Sequence, residues 1–575
     1  MPPASPRRTP PDRPLTLRPG DGRTLAVPLL VALALLYVVG LNQPPLLERD
    51  ETRYVAIAQE MVRSGDYVTG RINGFVYLAK PPLLFWLTAA ALRVGGLEAA
   101  AERLPCVLVG LVGLVLVALP GARLVGRRAA TLATLVLGTS LMYLGVARMV
   151  RFDLLVTVPV CTTLLLFWIG LSAPERRWYW VGAGPCLALG TLAKGPVAVV
   201  LAGGVIVPYL LWTRQPRELL RVQWVYAVGL WALLAAPWFV AAERANPGFL
   251  RYFIVSENLG RAAAPGADMH PEPWWLLIAA LIGGSLPWTA FLPAAGRLAG
   301  RQFRATDASG QRPVPFLLLW MLFPLALFSA SSGKLLTYVV PCLPPLALLI
   351  GLTVDRALDS PGARGARTLA LASAIPLMAL AVGALLAAAL QTHFPREAAL
   401  TAAFAFCVAL LVPGVVAAVA AAAGRPLLAL CALGAAGYLP VLVAGRVTPL
   451  AVAETEGRPV ADLVRAHRQP GEALASWAGF PRFLVLYGFQ PVYVIDRFPP
   501  SDYNFPANDP RLPEMVFPRE RPAAFFDRHP RALIVAKQRN LAELQAAVPD
   551  LRPVGETRFW VVLRHGPDGA TGGGP

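Results

Sequence analysis

Glu48-Arg49-Asp50-Glu51-Thr52-Arg53-Tyr54 follows directly on the first strongly apolar stretch of an apolar chain. Charges of both signs at the mouth of a membrane helix are expensive to keep and mark function. Asp50 has two compatible uses: aspartate is a favoured helix N-cap, and a carboxylate beside an acceptor oxygen is the usual general base. It could also anchor a cation. Asp153, in Arg148-Met149-Val150-Arg151-Phe152-Asp153, repeats the theme at the outer end of another apolar run. Its structural use would be an ion pair with Arg148 or Arg151. Two carboxylates facing one cavity would suit activation of an acceptor plus its orientation.

The basic candidates are lysines in a chain whose cations are mostly arginine. A compact ammonium is a good point-charge partner for phosphate oxygens. Lys80 lies in Leu78-Ala79-Lys80-Pro81-Pro82, Lys194 in Leu192-Ala193-Lys194-Gly195-Pro196, and Lys334 in Ser331-Ser332-Gly333-Lys334-Leu335-Leu336-Thr337-Tyr338. Snorkelling to the interface is the structural use of each. His270 stands just before an apolar run with Asp268 and Glu272 beside it. Most loop histidines are neither ligand nor base, but this position makes it a candidate. Arg251-Tyr252-Phe253 and Glu257-Asn258-Leu259-Gly260-Arg261 form a loop able to hold phosphate or hydroxyl groups.

These residues need a membrane scaffold. The chain is 56% hydrophobic and only 15% charged, against roughly 25% charged in a soluble domain. Its mean hydropathy is +0.55. The net charge of +18 is carried by arginines between apolar runs, which points to retention of basic loops in the cytoplasm and away from nucleic acid. Cys106, Cys161, Cys186, Cys342, Cys407 and Cys431 all fall in apolar segments, so neither a disulfide framework nor a thiolate metal site is suggested.

The clearest apolar runs cover 24–41, 100–121, 129–147, 154–172, 178–192, 195–212, 222–241, 274–294, 314–330, 336–354, 368–390, 398–422 and 426–446. The run 81–94 is short, opens on two prolines and holds Arg93. If it does not cross, the arginine-rich loops all fall on one side, as the positive-inside bias requires. The expectation is therefore 13 spans, with 81–94 juxtamembrane or re-entrant. That choice puts Asp50, Lys80, Asp153, Lys194, His270, Lys334 and the tail after 446 on the same outer face, although none of them was used to make it.

The Pro- and Arg-rich start, 1–23, is expected to be disordered and cytoplasmic. A transmembrane domain, 24–446, follows, with a first outer loop at 42–99. In that loop Tyr54, Ile57, Ala58, Met61 and Val62 repeat at helical spacing. Ser64-Gly65-Asp66 ends the helix, and Tyr67–Tyr77 reads as a hairpin around Asn73-Gly74. The tail, 447–575, is polar and proline-rich. Val492–Ile495, Ala532–Ala536 and Phe559–Leu563 read as strands and Asn540–Val548 as a helix, which makes a small soluble α/β domain. It holds no nucleotide-phosphate loop, and no internal repeat is visible along the chain.

Asp50-Glu51-Thr52-Arg53-Tyr54, Ser64-Gly65-Asp66, Lys80-Pro81-Pro82-Leu83-Leu84-Phe85-Trp86-Leu87 and Gly333-Lys334-Leu335-Leu336-Thr337-Tyr338-Val339-Val340-Pro341 resemble the GT-C glycosyltransferases. The lipid A aminoarabinose transferases and the protein O-mannosyltransferase-related enzymes are the similar groups. The resemblance implies a polytopic helical membrane protein of the GT-C fold in the bacterial inner membrane, with active site and tail periplasmic. It implies a polyprenyl-phosphate sugar as donor and lipid A, another glycan or a protein as acceptor. It makes Asp50 catalytic and sets Arg53, Lys80, Asp153 and Tyr338 around the same cavity. The residues themselves add Asp153 as a second catalytic carboxylate and Lys334, Arg261 and His270 as further substrate or phosphate contacts. The aminoarabinose transferases carry a glutamate where this chain has Ala79, which leaves a divalent metal, the sugar and the acceptor open. The competing class is a lipid or sugar transporter, but such proteins commonly show paired repeats and interrupted helices near the midplane. A lipid-binding scaffold would explain a cavity and not the paired carboxylates.

Overall fold

A computed structural model describes residues 22–566, except 49, 261–271, 308, 332, 361–363, 391–395, 452–455, 498–502, 504 and 506–508. Expectations for 1–21 and 567–575, and for Arg261 and His270, therefore lie outside the described residues.

The protein is a multi-pass helical membrane protein. Among the described residues eight helices are long and apolar enough to cross a bilayer, and ten if each of two bent pairs counts as one span. The bent pairs are Arg127–Thr139 with Leu141–Ala147, at 64°, and Leu276–Gly284 with Trp288–Gln302, at 105°. Thirteen apolar runs do not become thirteen long helices, for a geometric reason. The 178–192 run divides into a 3-10 stretch, Pro174–Gly182, and a 12-residue helix, Ala183–Lys194. At about 1.5 Å per residue, such a helix is shorter than the roughly 30 Å hydrocarbon core. The first helix, α1 (Gly22–Val38), and Val197–Trp212 are likewise short apolar helices.

The loop 42–99 folds as a unit. Helix α2 (Asp50–Ser64) buries Tyr54, Ile57, Ala58 and Met61, the face that the helical spacing predicts. Strands β1 (Arg71–Ile72) and β2 (Phe75–Val76) pair antiparallel. Asn73 and Gly74 turn between them with φ of 50° and 81°, the left-handed pair that Asn-Gly supplies in a two-residue hairpin. Lys80-Pro81-Pro82 then leads into α3 (Leu83–Gly95). The next helix, α4 (Ala99–Ala118), begins the first long span.

The C-terminal domain is a mixed six-stranded sheet. Its strands are β3 (Ala473–Trp477), β4 (Tyr493–Ile495), β5 (Val516–Phe517), β6 (Ala532–Lys537), β7 (Arg552–Glu556) and β8 (Trp560–His565). They run in the order β5-β4-β3-β6-β8-β7. The first four are parallel, and β8 and β7 close the edge antiparallel. The helix Leu541–Ala547 connects β6 and β7.

This domain docks on the 42–99 loop. Glu48 accepts the backbone N–H groups of Arg482 (3.0 Å) and Phe483 (3.1 Å). Asn73 donates to the Val492 carbonyl (2.8 Å) and accepts from its N–H (2.9 Å). Phe75 stacks on Tyr503 with ring centres 3.9 Å apart. The hairpin that delivers Lys80 is thus held between membrane helices and a folded domain.

Candidate active site

The site is anchored by a pair that sequence reading passed over. Glu51 and Arg103 of α4 are both fully buried and meet as a two-pronged fork, with Nε to Oε1 at 2.9 Å and Nη2 to Oε2 at 2.7 Å. Glu51 also accepts the N–H groups of Leu47 (3.0 Å) and Val150 (2.9 Å). Arg103 donates to the carbonyls of Leu41 (3.0 Å) and Pro44 (2.7 Å). One buried ion pair therefore ties the start of α2, the N-terminal end of α4 and the 148–153 segment together. The available signal was Glu102-Arg103, two charges inside the apolar run 100–121.

On this frame the candidate residues meet. Asp50 Oδ2 lies 3.0 Å from Arg151 Nη2, and Oδ1 lies 3.8 Å from Arg53 Nη1. Arg151 Nε reaches Asp153 Oδ2 at 3.5 Å. Asp153 opens the helix Asp153–Ser172 and is buried, and its Oδ1 receives Lys194 Nζ at 2.7 Å. Lys194 ends its own helix and lies over the Tyr338 ring, 4.6 Å from the centroid. The result is one unbroken train, Arg53–Asp50–Arg151–Asp153–Lys194–Tyr338. Burial opposes the charge on Arg151, but the Asp153 and Asp50 carboxylates outweigh it and hold its pKa above the ordinary arginine value.

Both structural uses weighed for these aspartates are refined here. Asp50 stands in the first turn of α2, and its carboxylate faces two guanidiniums. Asp153 pairs with Arg151 as one of its two options, while Arg148 turns away to the Tyr37 carbonyl (2.7 Å). Lys194 does not snorkel.

Lys80 approaches from the hairpin side. It donates to the Ala79 carbonyl (3.0 Å) and faces Glu257 Oε2 at 3.8 Å. Glu257 sits on the π-helical turn Tyr252–Gly260 and accepts from the Tyr252 hydroxyl at 3.0 Å. Lys334 is not brought into the train: it is half-buried and donates to the Glu272 carbonyl at 3.0 Å. The chain there extends to reach the 3-10 turn that begins at Leu336, so Tyr338 meets Lys194 while Lys334 turns to Glu272. Among the described residues no group of three His, Cys, Asp or Glu is placed to hold a metal ion. Asp50 and Asp153 face arginine and lysine, which compensate their charges.

Beside the train lies a cavity of about 930 Å³. Its lining includes Arg103, Arg148, Arg151 and Thr337 and is otherwise largely apolar, with Leu377, Leu380, Phe406 and Leu410 among the residues. A largely apolar cavity with a few guanidiniums in its lining suits an amphiphile.

A many-helix membrane domain with an acidic and basic train at its helix ends, carrying a mixed-sheet domain, has the architecture of a GT-C membrane glycosyltransferase, and the chain resembles that class. Residues 79–240 match the family of dolichyl-phosphate-mannose-protein mannosyltransferases. The chain is 36% identical over 366 residues to undecaprenyl phosphate-alpha-4-amino-4-deoxy-L-arabinose arabinosyl transferase 2 of Pseudomonas fluorescens, covering 60% of each chain. It is 36% identical over 332 residues to the enzyme of that name in Pseudomonas aeruginosa, covering 56% of this chain and 58% of the relative. The matches thus span about three fifths of these curated relatives. The crystal structure of ArnT from Cupriavidus metallidurans bound to undecaprenyl phosphate superposes with a TM-score of 0.78 at 26% identity, over 96% of this chain and 100% of that one.

Proposed function

We propose that the protein transfers a sugar from a polyprenyl phosphate to a lipid A-type acceptor at the periplasmic face of the bacterial inner membrane, with inversion. The observation that carries this reading is the train of two carboxylates threaded on arginines and a lysine, joined through Arg151 to the lining of an apolar cavity. Following the curated relatives, the sugar assigned is 4-amino-4-deoxy-L-arabinose on undecaprenyl phosphate.

In this mechanism the acceptor oxygen attacks the anomeric carbon as the bond from that carbon to the donor phosphate oxygen breaks. Where the acceptor is a hydroxyl, Asp50 takes its proton. Where it is a lipid phosphate, already anionic, Asp50 and Arg151 orient it. Lys80, Arg53 and the Tyr338 edge receive the negative charge that develops on the departing polyprenyl phosphate. Asp153 keeps Arg151 and Lys194 in place, and the apolar cavity takes lipid chains.

The topology that fits is 13 crossings, with the short helices 22–38, 183–194 and 197–212 counted as spans and α3 lying against the membrane without crossing. Residues 1–23 are then cytoplasmic, 24–446 form the catalytic domain, and 447–575 form a periplasmic domain. Arg261, His270 and Lys334 remain candidates for the outer rim of the substrate site.

The test is mass spectrometry of lipid A and envelope glycans from cells with and without the protein. An added pentosamine-sized mass on lipid A supports the proposal, and unchanged lipid A refutes it. The family match over 79–240 favours one alternative acceptor, a protein hydroxyl. A hexose on an envelope protein would select it.

A further inference from the structure

Three guanidiniums border the cavity, and their counter-charges differ. Arg103 is matched by Glu51 at 2.7 Å. Arg151 is matched by Asp50 at 3.0 Å and Asp153 at 3.5 Å. Arg148 is only 6% exposed, yet among the described residues no carboxylate lies within ion-pair distance of it. Its Nη1 donates to the carbonyls of Tyr37 (2.7 Å) and Leu36 (3.5 Å) at the end of α1. Its Nη2 lies along Gly40, 3.8 Å from where a side chain at that position would begin. A buried cation satisfied only by carbonyls keeps its full charge in a poorly hydrated place, where an anion binds with unusual advantage.

We propose that Arg148 is a second anion site, distinct from the Asp50 train, which pairs with the phosphate of an amphiphile whose chains fill the cavity. This rests on the reading of the protein as a lipid-dependent transferase and adds a specificity element to it. The cavity selects phosphorylated lipids over neutral ones of the same chain length because one wall carries an uncompensated guanidinium. Arg103 and Arg151 cannot serve this purpose equally, because each already holds a carboxylate. The helix Leu141–Ala147 supplies a control position. Gly145 lines the cavity three residues before Arg148 and has open space where a side chain would start.

The test uses the full-length protein in detergent micelles. Binding of dioleoyl phosphatidic acid and of dioleoylglycerol is titrated by native mass spectrometry. The two share their chains and differ in the phosphate. Wild-type protein is expected to hold the phosphatidic acid about tenfold more tightly, the worth of a hydrogen bond to a charged group. Arg148→Gln should abolish that preference without weakening dioleoylglycerol, and Arg148→Lys should keep part of it. Gly145→Asp keeps Arg148 and its bonds to α1 but supplies a carboxylate at i, i+3 spacing, and it should also abolish the preference. That variant keeps the test decisive if Arg148→Gln folds poorly. Retention of the preference in either variant, or equal weakening of both probes by Arg148→Gln, overturns the proposal. Steady-state kinetics then identify the source of the phosphate. In Arg148→Gln a raised KM for lipid A assigns the acceptor, a raised KM for the polyprenyl-phosphate sugar assigns the donor, and no change in either overturns the site's role in transfer. Wild-type protein that prefers phosphatidic acid but transfers no sugar fails the proposed function and leaves the anion site standing.

Discussion

Asp50→Asn separates a base from a prop. The Asp50 carboxylate is 36% exposed and its firm contact is Arg151 at 3.0 Å. A partly exposed pair of that kind contributes at most about 1 kcal/mol. Asparagine keeps an oxygen that can accept from Arg151 and caps a helix about as well as aspartate. The fold and the position of Arg151 should therefore survive the exchange, with stability changed by about 1 kcal/mol or less. A general base contributes about 10²–10⁴-fold, or roughly 3–5 kcal/mol at 1.36 kcal/mol per tenfold. The two roles thus differ by more than 1 kcal/mol and can be told apart on one preparation. The assay is turnover of polyprenyl-phosphate sugar and a lipid acceptor by protein in detergent, alongside donor binding and a melting curve. The expected result is a normal melt, donor affinity within a few-fold of wild type, and turnover reduced at least a hundredfold. Turnover within tenfold of wild type would refute the base, and would leave Asp50 as the residue that orients Arg151 toward an acceptor already anionic.

Lys80→Ala should lower transfer at least tenfold with unchanged membrane insertion, and Lys80→Arg should restore little, since the planar fork differs in reach from an ammonium; full activity in the alanine variant would assign Lys80 to packing. Arg103→Met leaves Glu51 buried and unpaired, and should destabilise the protein by about 3–5 kcal/mol, read as a lower melting temperature and poor yield. The double variant Glu51→Leu with Arg103→Met should recover much of that loss, and failure to do so would show that the backbone contacts of the pair matter more than its charges. Reporter fusions after residues 70, 153 and 460 should report the periplasm and fusions near 125 and 215 the cytoplasm. A cytoplasmic signal at 153 would mean that 81–94 crosses, and would separate Asp50 from Asp153.

The sequence by itself determined what depends on neighbours along the chain. Apolar runs made the membrane helices recognisable, because every backbone polar group in a bilayer must be satisfied within its own segment. The face of α2 followed from 3.6-residue spacing, and the hairpin followed from Asn73-Gly74, whose left-handed conformations few other pairs adopt. The candidate train was half visible, since Asp50 and Asp153 are charges at span ends. What joins them was not visible. Lys194 meets Asp153 across 41 residues, and Glu51 meets Arg103 across 52. Lys334 looked as good a phosphate contact as Lys80, yet only the fold brings Tyr338 to the train and sends Lys334 to the Glu272 carbonyl. Arg148 and Arg151 sit three residues apart in one motif, and only tertiary packing gives carboxylates to one and carbonyls to the other. Secondary structure is set by short-range sterics and periodicity, whereas the partner of a buried charge is set by which helices pack together, and no local pattern of residues encodes that.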